Sequence, residues 1–220
     1  FMNFDKEYLD INKYQNKISV VGLPQKIENH NSNNIINKNP SVINFLLYAG
    51  SQGSLDLLDI FQQIIKNLSK LSISKKIFFT IQAPLSKHLE IENLLKENNY
   101  KFQIKNFYND FDYILKQTDI ALCRSGAGTI NDLITHKIPA IICPLPSAKD
   151  NHQYENAKIL SSIHCAIIVD KNNIKEDEIM LFIDKSLNDM NFKKKLKLNF
   201  DGIKIKNTNE LMWNYIKNAK

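Results

Sequence analysis

A chain of 220 residues with 43% hydrophobic side chains is long enough to bury a core of domain size. Its formal net charge of +6 is distributed without interleaved aromatics, which argues against a nucleic-acid surface, and no apolar run approaches the roughly 20 residues that span a bilayer. Three widely spaced cysteines (Cys123, Cys143 and Cys165) suit neither a C-x-x-C zinc site nor a closed set of disulfides, so buried, reduced thiols of a cytosolic protein are expected.

The chain opens on Phe1 and a stretch without a clear beginning, and is expected to be part of a longer protein. Residues 1–26, including ISVVGLP (18–24), read as the end of a preceding domain and a hinge. Residues 27–42 are Asn-rich, polar and aperiodic, a linker or surface loop. From there a parallel α/β pattern sets in over 43–200. The apolar runs 43–50, 76–82, 101–106, 119–124, 139–144 and 164–170 are predicted strands, continuous in the way of strands covered on both faces. Between and after them, residues 54–71 place Leu57, Leu58, Phe61, Ile64, Ile65 and Leu68 at helical spacing. Further helices are predicted over 86–99, 110–117, 127–136, 151–160, 176–187, 190–198 and 207–218, the last within a C-terminal segment 201–220 that is expected to pack back on the preceding domain. Strict alternation predicts βαβ units, a Rossmann-like parallel sheet flanked by helices, and a ligand crevice at the carboxyl ends of the strands. The basic run Lys193–Lys197 is read first as a solvated helix face, and second as a contact for anionic phosphates or a membrane surface.

Three loops join a strand to a helix and carry the chemistry. AGSQGS (49–54) pairs Gly50 and Gly53 with the hydrogen-bonding Ser51 and Gln52 at a helix start, where anions are attracted, although a structural turn explains a G-x-x-G equally well. CRSGAGTIND (123–132) opens the next such helix on small residues, so that a diphosphate can reach the N–H groups of Ala127, Gly128 and Thr129. Asp132, one turn on, is placed either for a sugar diol or simply to complement the helix dipole. PLPSAKDNHQYENA (144–157) gathers Asp150, Asn151, His152, Gln153 and Asn156, a neutral surface that suits sugar hydroxyls. His152 is read as a hydrogen-bonding or exposed side chain rather than a general base, since no acid is placed to orient it. Arg124 either reaches the site or anchors the strand end, and the anchor is the reading preferred. No metal-binding element and no G-x-G-x-x-G dinucleotide fingerprint is present, so no cofactor is called for.

AGSQG (49–53), CRSGAGT (123–129) and DNHQYENA (150–157), in this order and at these separations, resemble the carboxyl-terminal half of the MurG family. These are bacterial UDP-N-acetylglucosamine transferases that make lipid II for peptidoglycan. VVGLPQK (20–26) is similar to the family's hinge motif, with Leu23 in place of its Asn and Lys26 where an Arg is common. A lysine brings charge without the bidentate fork.

The resemblance implies the C-terminal half of a GT-B fold. In it, Ser51 and Gln52 face the diphosphate and sugar, Ala127, Gly128 and Thr129 present backbone to the phosphates, and Asp132 binds the ribose. Phe107 and Tyr108 flank uracil, Gln153 and Asn156 hold the N-acetylglucosamine with His152 beside them, and Lys26 contributes charge. The family usually has Glu at the Asp132 position. The implied partners are a UDP-GlcNAc donor and a lipid I acceptor, the latter bound by an N-terminal domain that also carries the catalytic residues. The implied setting is peripheral on the cytoplasmic face of the inner membrane, in cell-wall synthesis and hence cell shape and division. The chain is expected to supply the donor site without completing transfer by itself. Two alternative readings are a free-standing donor subunit of a split GlcNAc transferase and a UDP-GlcNAc epimerase-like isomerase on the same fold.

Overall fold

The structure, a computed structural model, describes residues 38–48, 55–145, 151–203 and 208–218, with side-chain burial in the first helix from Leu57 on. The hinge segment, Lys26 and most of the Asn-rich segment lie outside the described residues. The chain divides into two compact units, and Ile36–Gly202 form the larger.

In that unit six strands alternate with helices: β1 (Val42–Tyr48), α1 (Leu55–Leu68), β2 (Lys76–Gln82), α2 (His88–Glu97), β3 (Lys101–Lys105), α3 (Phe111–Gln117), β4 (Ile120–Cys123), α4 (Ala127–His136), β5 (Ala140–Ile142), α5 (His152–Ser161), β6 (Ala166–Ile168), α6 (Glu176–Asn188) and α7 (Met190–Asp201). A final helix, α8 (Thr208–Asn218), belongs to the second unit. Glu210 in its first turn and Lys217 in its last complement the helix dipole.

All strand pairs are parallel, in the order β3-β2-β1-β4-β5-β6. The chain works outward from β1 to one edge, returns through α3 to β4 on the other side of β1, and works outward again. This order defines the doubly wound Rossmann-type sheet, with its switch point between β1 and β4. β5 and β6 are shorter than their apolar runs. Pro144 has no N–H to extend the ladder beyond Cys143, and β6 is an edge strand.

The period-2 alternation of the strands sorts the core into two layers. Phe45, Leu47, Phe79, Ile81, Ile120, Leu122 and Ile141 pack with α1, α2 and α6 in one buried cluster. There Phe79 lies between Phe45, Phe61 and Tyr100, at ring-centroid distances of 5.3, 5.6 and 5.2 Å. The intervening residues Leu46, Ala121, Cys123, Ala140 and Ile142 are equally buried and turn to the opposite face, which α3, α4 and α5 cover.

Helices α2, α4 and α5 end alike. Within three residues of each end the chain takes positive φ, at Asn99 (58°), Lys137 (54°) and His164 (58°), and a 6→1 bond closes each turn: Tyr100 N to Leu95 O, Ile138 N to Leu133 O and Cys165 N to Leu160 O, each 2.9 Å. Glycine usually fills this position; here asparagine, lysine and histidine do.

Truncating Phe79 to alanine removes the ring that three aromatics share. It is expected to lower unfolding stability by about 3–5 kcal/mol in urea titrations, with the m-value unchanged. Burial pushes the thiols of Cys123 and Cys165 up to about 12. The unfolded chain therefore loses these protons at lower pH than the folded one, so stability is expected to fall as pH rises from about 9 towards 12. At pH 8 the native protein should resist iodoacetamide until denaturant is added.

Candidate functional site

The carboxyl ends of β1 and β4, adjacent at the switch point, frame the candidate site. β4 is buried at every position, and its ladder with β1 pairs Tyr48 with Cys123. Beyond Cys123 the chain must turn at once into α4.

Arg124 fixes that turn. Its Nη1 donates to the carbonyls of Cys143 at 2.8 Å and Pro144 at 3.0 Å, and lies 3.2 Å from Cys143 Sγ. The guanidinium thus ties the exit of β4 to the exit of β5 by charge-assisted bonds, and is the anchor that the sequence suggested. Ser125 follows, fully buried. Its carbonyl accepts the Asn156 amide N–H at 3.0 Å, and its hydroxyl has no hydrogen-bond partner.

Gly126 then occupies the N-cap of α4 with φ −58° and ψ 148°, and without a side chain to cap the helix. The first intrahelical bond runs from Ile130 N to Gly126 O at 3.0 Å. The N–H groups of Ala127, Gly128 and Thr129 are therefore the unpaired donors of the helix start, the positive end of its dipole. Neither glycine of this turn has positive φ. A Cβ on Gly128 would meet nothing within 4 Å, and one on Gly126 would come only to 3.8 Å of Thr129 Oγ1. Packing among the described residues does not require a bare backbone here.

Asp132, partly buried, lies one turn into α4 and faces β1. Its charge is felt by Tyr48, whose phenol is held above the usual tyrosine range by burial first, then by Asp132 and by Cys123. The Tyr48 ring packs on Phe111 at 4.7 Å. Sequence reasoning did not single out Tyr48; the available signal was a phenol closing an otherwise apolar strand.

On α5, Asn156 is buried with its amide directed at Ser125, while Gln153 Oε1 accepts the Leu145 N–H at 3.0 Å. Both side chains bind the β4–α4 turn and the β5 exit to α5. His152 is exposed at the first turn of α5, behind Asn151, whose left-handed backbone (φ 53°) an asparagine tolerates. At the end of β3, Tyr108 is buried. Its hydroxyl donates to Gln103 O at 3.3 Å, the Lys105 ammonium stands 5.3 Å from its ring centre, and burial pushes its phenol up to about 12. Phe107 beside it is 68% exposed.

The fold thus brings Asp132, the α4 start, Gln153 and Asn156 around the β1, β4 and β5 ends. Phe107 stands at β3, three strand spacings of about 4.8 Å from β4, or about 14 Å along the sheet edge. Ser51 and Gln52, which would complete the β1 end, lie outside the described residues, as does Asp150. Among the described residues, no three His, Cys, Asp or Glu side chains group as metal ligands, and no helix is long and apolar enough to cross a membrane.

The sheet order and the two helical layers define a Rossmann-type domain, the unit from which each half of the two-domain glycosyltransferase fold known as GT-B is built. Residues 45–210 match the glycosyltransferase family 28 C-terminal domain, and the chain belongs to that family. Among curated relatives, a UDP-N-acetylglucosamine–N-acetylmuramyl-(pentapeptide) pyrophosphoryl-undecaprenol N-acetylglucosamine transferase of Rickettsia bellii is 33% identical over 133 residues, 60% of this chain and 37% of the relative. Its namesake in Prochlorococcus marinus is 37% identical over 132 residues, 60% of this chain and 34% of the relative. The chain thus matches little more than a third of these relatives' length. The crystal structure of Acinetobacter baumannii MurG superposes with a TM-score of 0.69 at 21% identity, over 82% of this chain and 51% of that one.

Replacing Asn156 by alanine leaves the Ser125 carbonyl buried without its donor. This is expected to lower unfolding stability by about 1–3 kcal/mol in urea titrations. A loss comparable to that of a solvent-exposed substitution would show that the clamp does not form.

Proposed function

We propose that this chain is the donor-binding half of a UDP-N-acetylglucosamine transferase that glycosylates lipid I to form lipid II in peptidoglycan synthesis. The observation that carries the reading is the start of α4. Three N–H donors stand at the start of a helix whose first residues, Ala127, Gly128 and Thr129, are all small, at the switch point of the sheet, with an acid one turn away. Helix starts of this kind bind diphosphates. The names of the curated relatives supply the nucleotide sugar and the acceptor.

In this reading the diphosphate lies on the N–H groups of Ala127, Gly128 and Thr129, and Asp132 accepts the ribose hydroxyls. Phe107 offers its exposed face to the base, Tyr108 pins the loop beneath it, and the ligand extends along the sheet edge between these points. Ser51, Gln52 and Lys26 carry the roles the resemblance gives them. Gln153, Asn156 and His152 border the sugar, Asn156 also holding the Ser125 carbonyl. Transfer proceeds with inversion. An acceptor hydroxyl oxygen bonds to the anomeric carbon, the bond from that carbon to the β-phosphate oxygen breaks, and UDP departs with the electron pair. The acceptor proton passes to a base on the acceptor-binding domain. The fixed N–H dipoles favour the departing diphosphate without having to reorient. The protein works peripherally at the cytoplasmic face of the inner membrane, where its lipid-linked acceptor lies, and so bears on cell shape and division.

Calorimetric titration with UDP and UDP-GlcNAc tests the reading. Gly128→Ala should leave stability unchanged or raise it by about 0.5–1 kcal/mol, because its Cβ meets open space inside a helix, yet weaken UDP binding about tenfold. Asp132→Asn should weaken UDP more than inorganic pyrophosphate. Unaltered UDP affinity in Gly128→Ala, or no UDP binding by the parent chain, would overturn the assignment. Equal affinity for UDP-GlcNAc, UDP-glucose and UDP would remove Gln153 and Asn156 from the sugar site.

A further inference from the structure

The amino ends of the strands, opposite the proposed donor crevice, carry a second concavity that donor binding does not use. A cavity of about 350 Å³ is lined by Lys75, Lys137, Lys193 and Lys197 together with Asp119 and Ser186. Lys75, Asp119 and Lys137 immediately precede or closely flank the starts of β2, β4 and β5. Lys193 and Lys197 stand one turn apart on the same face of α7. Half of the basic run that reads in sequence as a solvated face is thus turned into this cavity.

Among the described residues, four ammonium groups face one carboxylate here, and that carboxylate is already engaged. Asp119 pairs with Lys38 at 2.8 Å and accepts the Asn44 N–H at 2.8 Å. Lys137 pairs with Asp201 at the rim, and Lys193 also donates to the Leu187 carbonyl. Counting Lys38 and Asp201, five cations still surround two anions among the described residues. Lys193 is held below the usual lysine range by partial burial and then by the like charge of Lys75, with Asp119 opposing, so these cations are close enough to repel one another. An independent feature lies in the same wall. Ser186 is 4% exposed, and its hydroxyl has no hydrogen-bond partner. A buried hydroxyl without a partner is unfavourable, and repelling lysines add to that cost. A multiply charged oxyanion relieves both, accepting from the hydroxyl and neutralising the ammonium groups.

We propose that this cavity is a binding site for a phosphate-bearing anion, held by Lys75, Lys193 and Lys197 with the Ser186 hydroxyl as a donor from the wall. The anion is either a soluble phosphate ester or the headgroup of an anionic lipid, two sources with the same chemistry. The site is independent of the proposed donor function and stands or falls separately from it.

The test is a calorimetric titration of the 220-residue chain with inorganic pyrophosphate in the presence of saturating UDP, which occupies the donor crevice throughout. Lys193→Gln/Lys197→Gln should weaken pyrophosphate binding about tenfold and Ser186→Ala several-fold, whereas Gly128→Ala should leave it unchanged. Circular dichroism checks that the variants fold. Should the double variant fail to fold, Lys75→Gln, an exposed change, should weaken binding several-fold in its place. A parallel arm measures co-sedimentation with vesicles of phosphatidylglycerol and phosphatidylcholine. Co-sedimentation that pyrophosphate and the lysine substitutions abolish identifies a lipid headgroup, while pyrophosphate binding without co-sedimentation identifies a soluble phosphate. Absence of pyrophosphate binding, equal affinity in the lysine variants, or loss through Gly128→Ala instead would overturn the proposal.

Discussion

The pairing of β1 with β4 is the constraint on which the rest of this domain depends. Phe45–Tyr48 run alongside Ile120–Cys123 in parallel register, and the chain reaches β4 only after building β2 and β3 on the far side of β1. A right-handed crossover then sends the helices after β1 and β4 to opposite faces. The two strand ends are left side by side with no helix crossing over them. The opening at the top of the sheet therefore follows from strand order, before any side chain is considered.

Against that frame the distribution of glycine becomes informative. The chain has only 6 glycines. It closes α2, α4 and α5 with Asn99, Lys137 and His164 in left-handed backbone, where the absence of a Cβ would relieve strain. Two glycines nevertheless stand at the start of α4, where neither backbone angle nor neighbouring atoms call for them. Among the described residues nothing requires this helix start to be bare, and the diphosphate contact proposed above would give Gly128 a reason that the turn does not.

Much of the fold was legible because its strands are covered on both sides. Continuous runs such as INFLLY and IALC have one reading in an alternating α/β pattern, and every strand and helix expected over 43–200 is present. The strand ends were less legible, because Pro144 and the edge position of β6 shorten ladders whose composition remains apolar. The position of the α4 start could be read directly, since small residues following the strand announce the turn into the helix. The partners of Asn156 and Arg124 could not, because each bond joins segments 31 and 19 residues apart. Tyr48 escaped notice for the same reason: its meeting with Asp132 is created by the β1–β4 adjacency. The lysines at the opposite pole were visible only as a charge run, until the strand starts brought Lys75 and Lys137 beside Lys193 and Lys197.

The Arg124 bridge separates two tasks within the same rim. Its bonds to the Cys143 and Pro144 carbonyls brace the roots of the two loops against each other, so the segment from Leu145 onward departs from a fixed base. Substitutions or insertions farther along that segment can reshape what it touches while the α4 start stays where it is. A scaffold braced in this way can diversify its specificity without rebuilding the part that all its ligands would share.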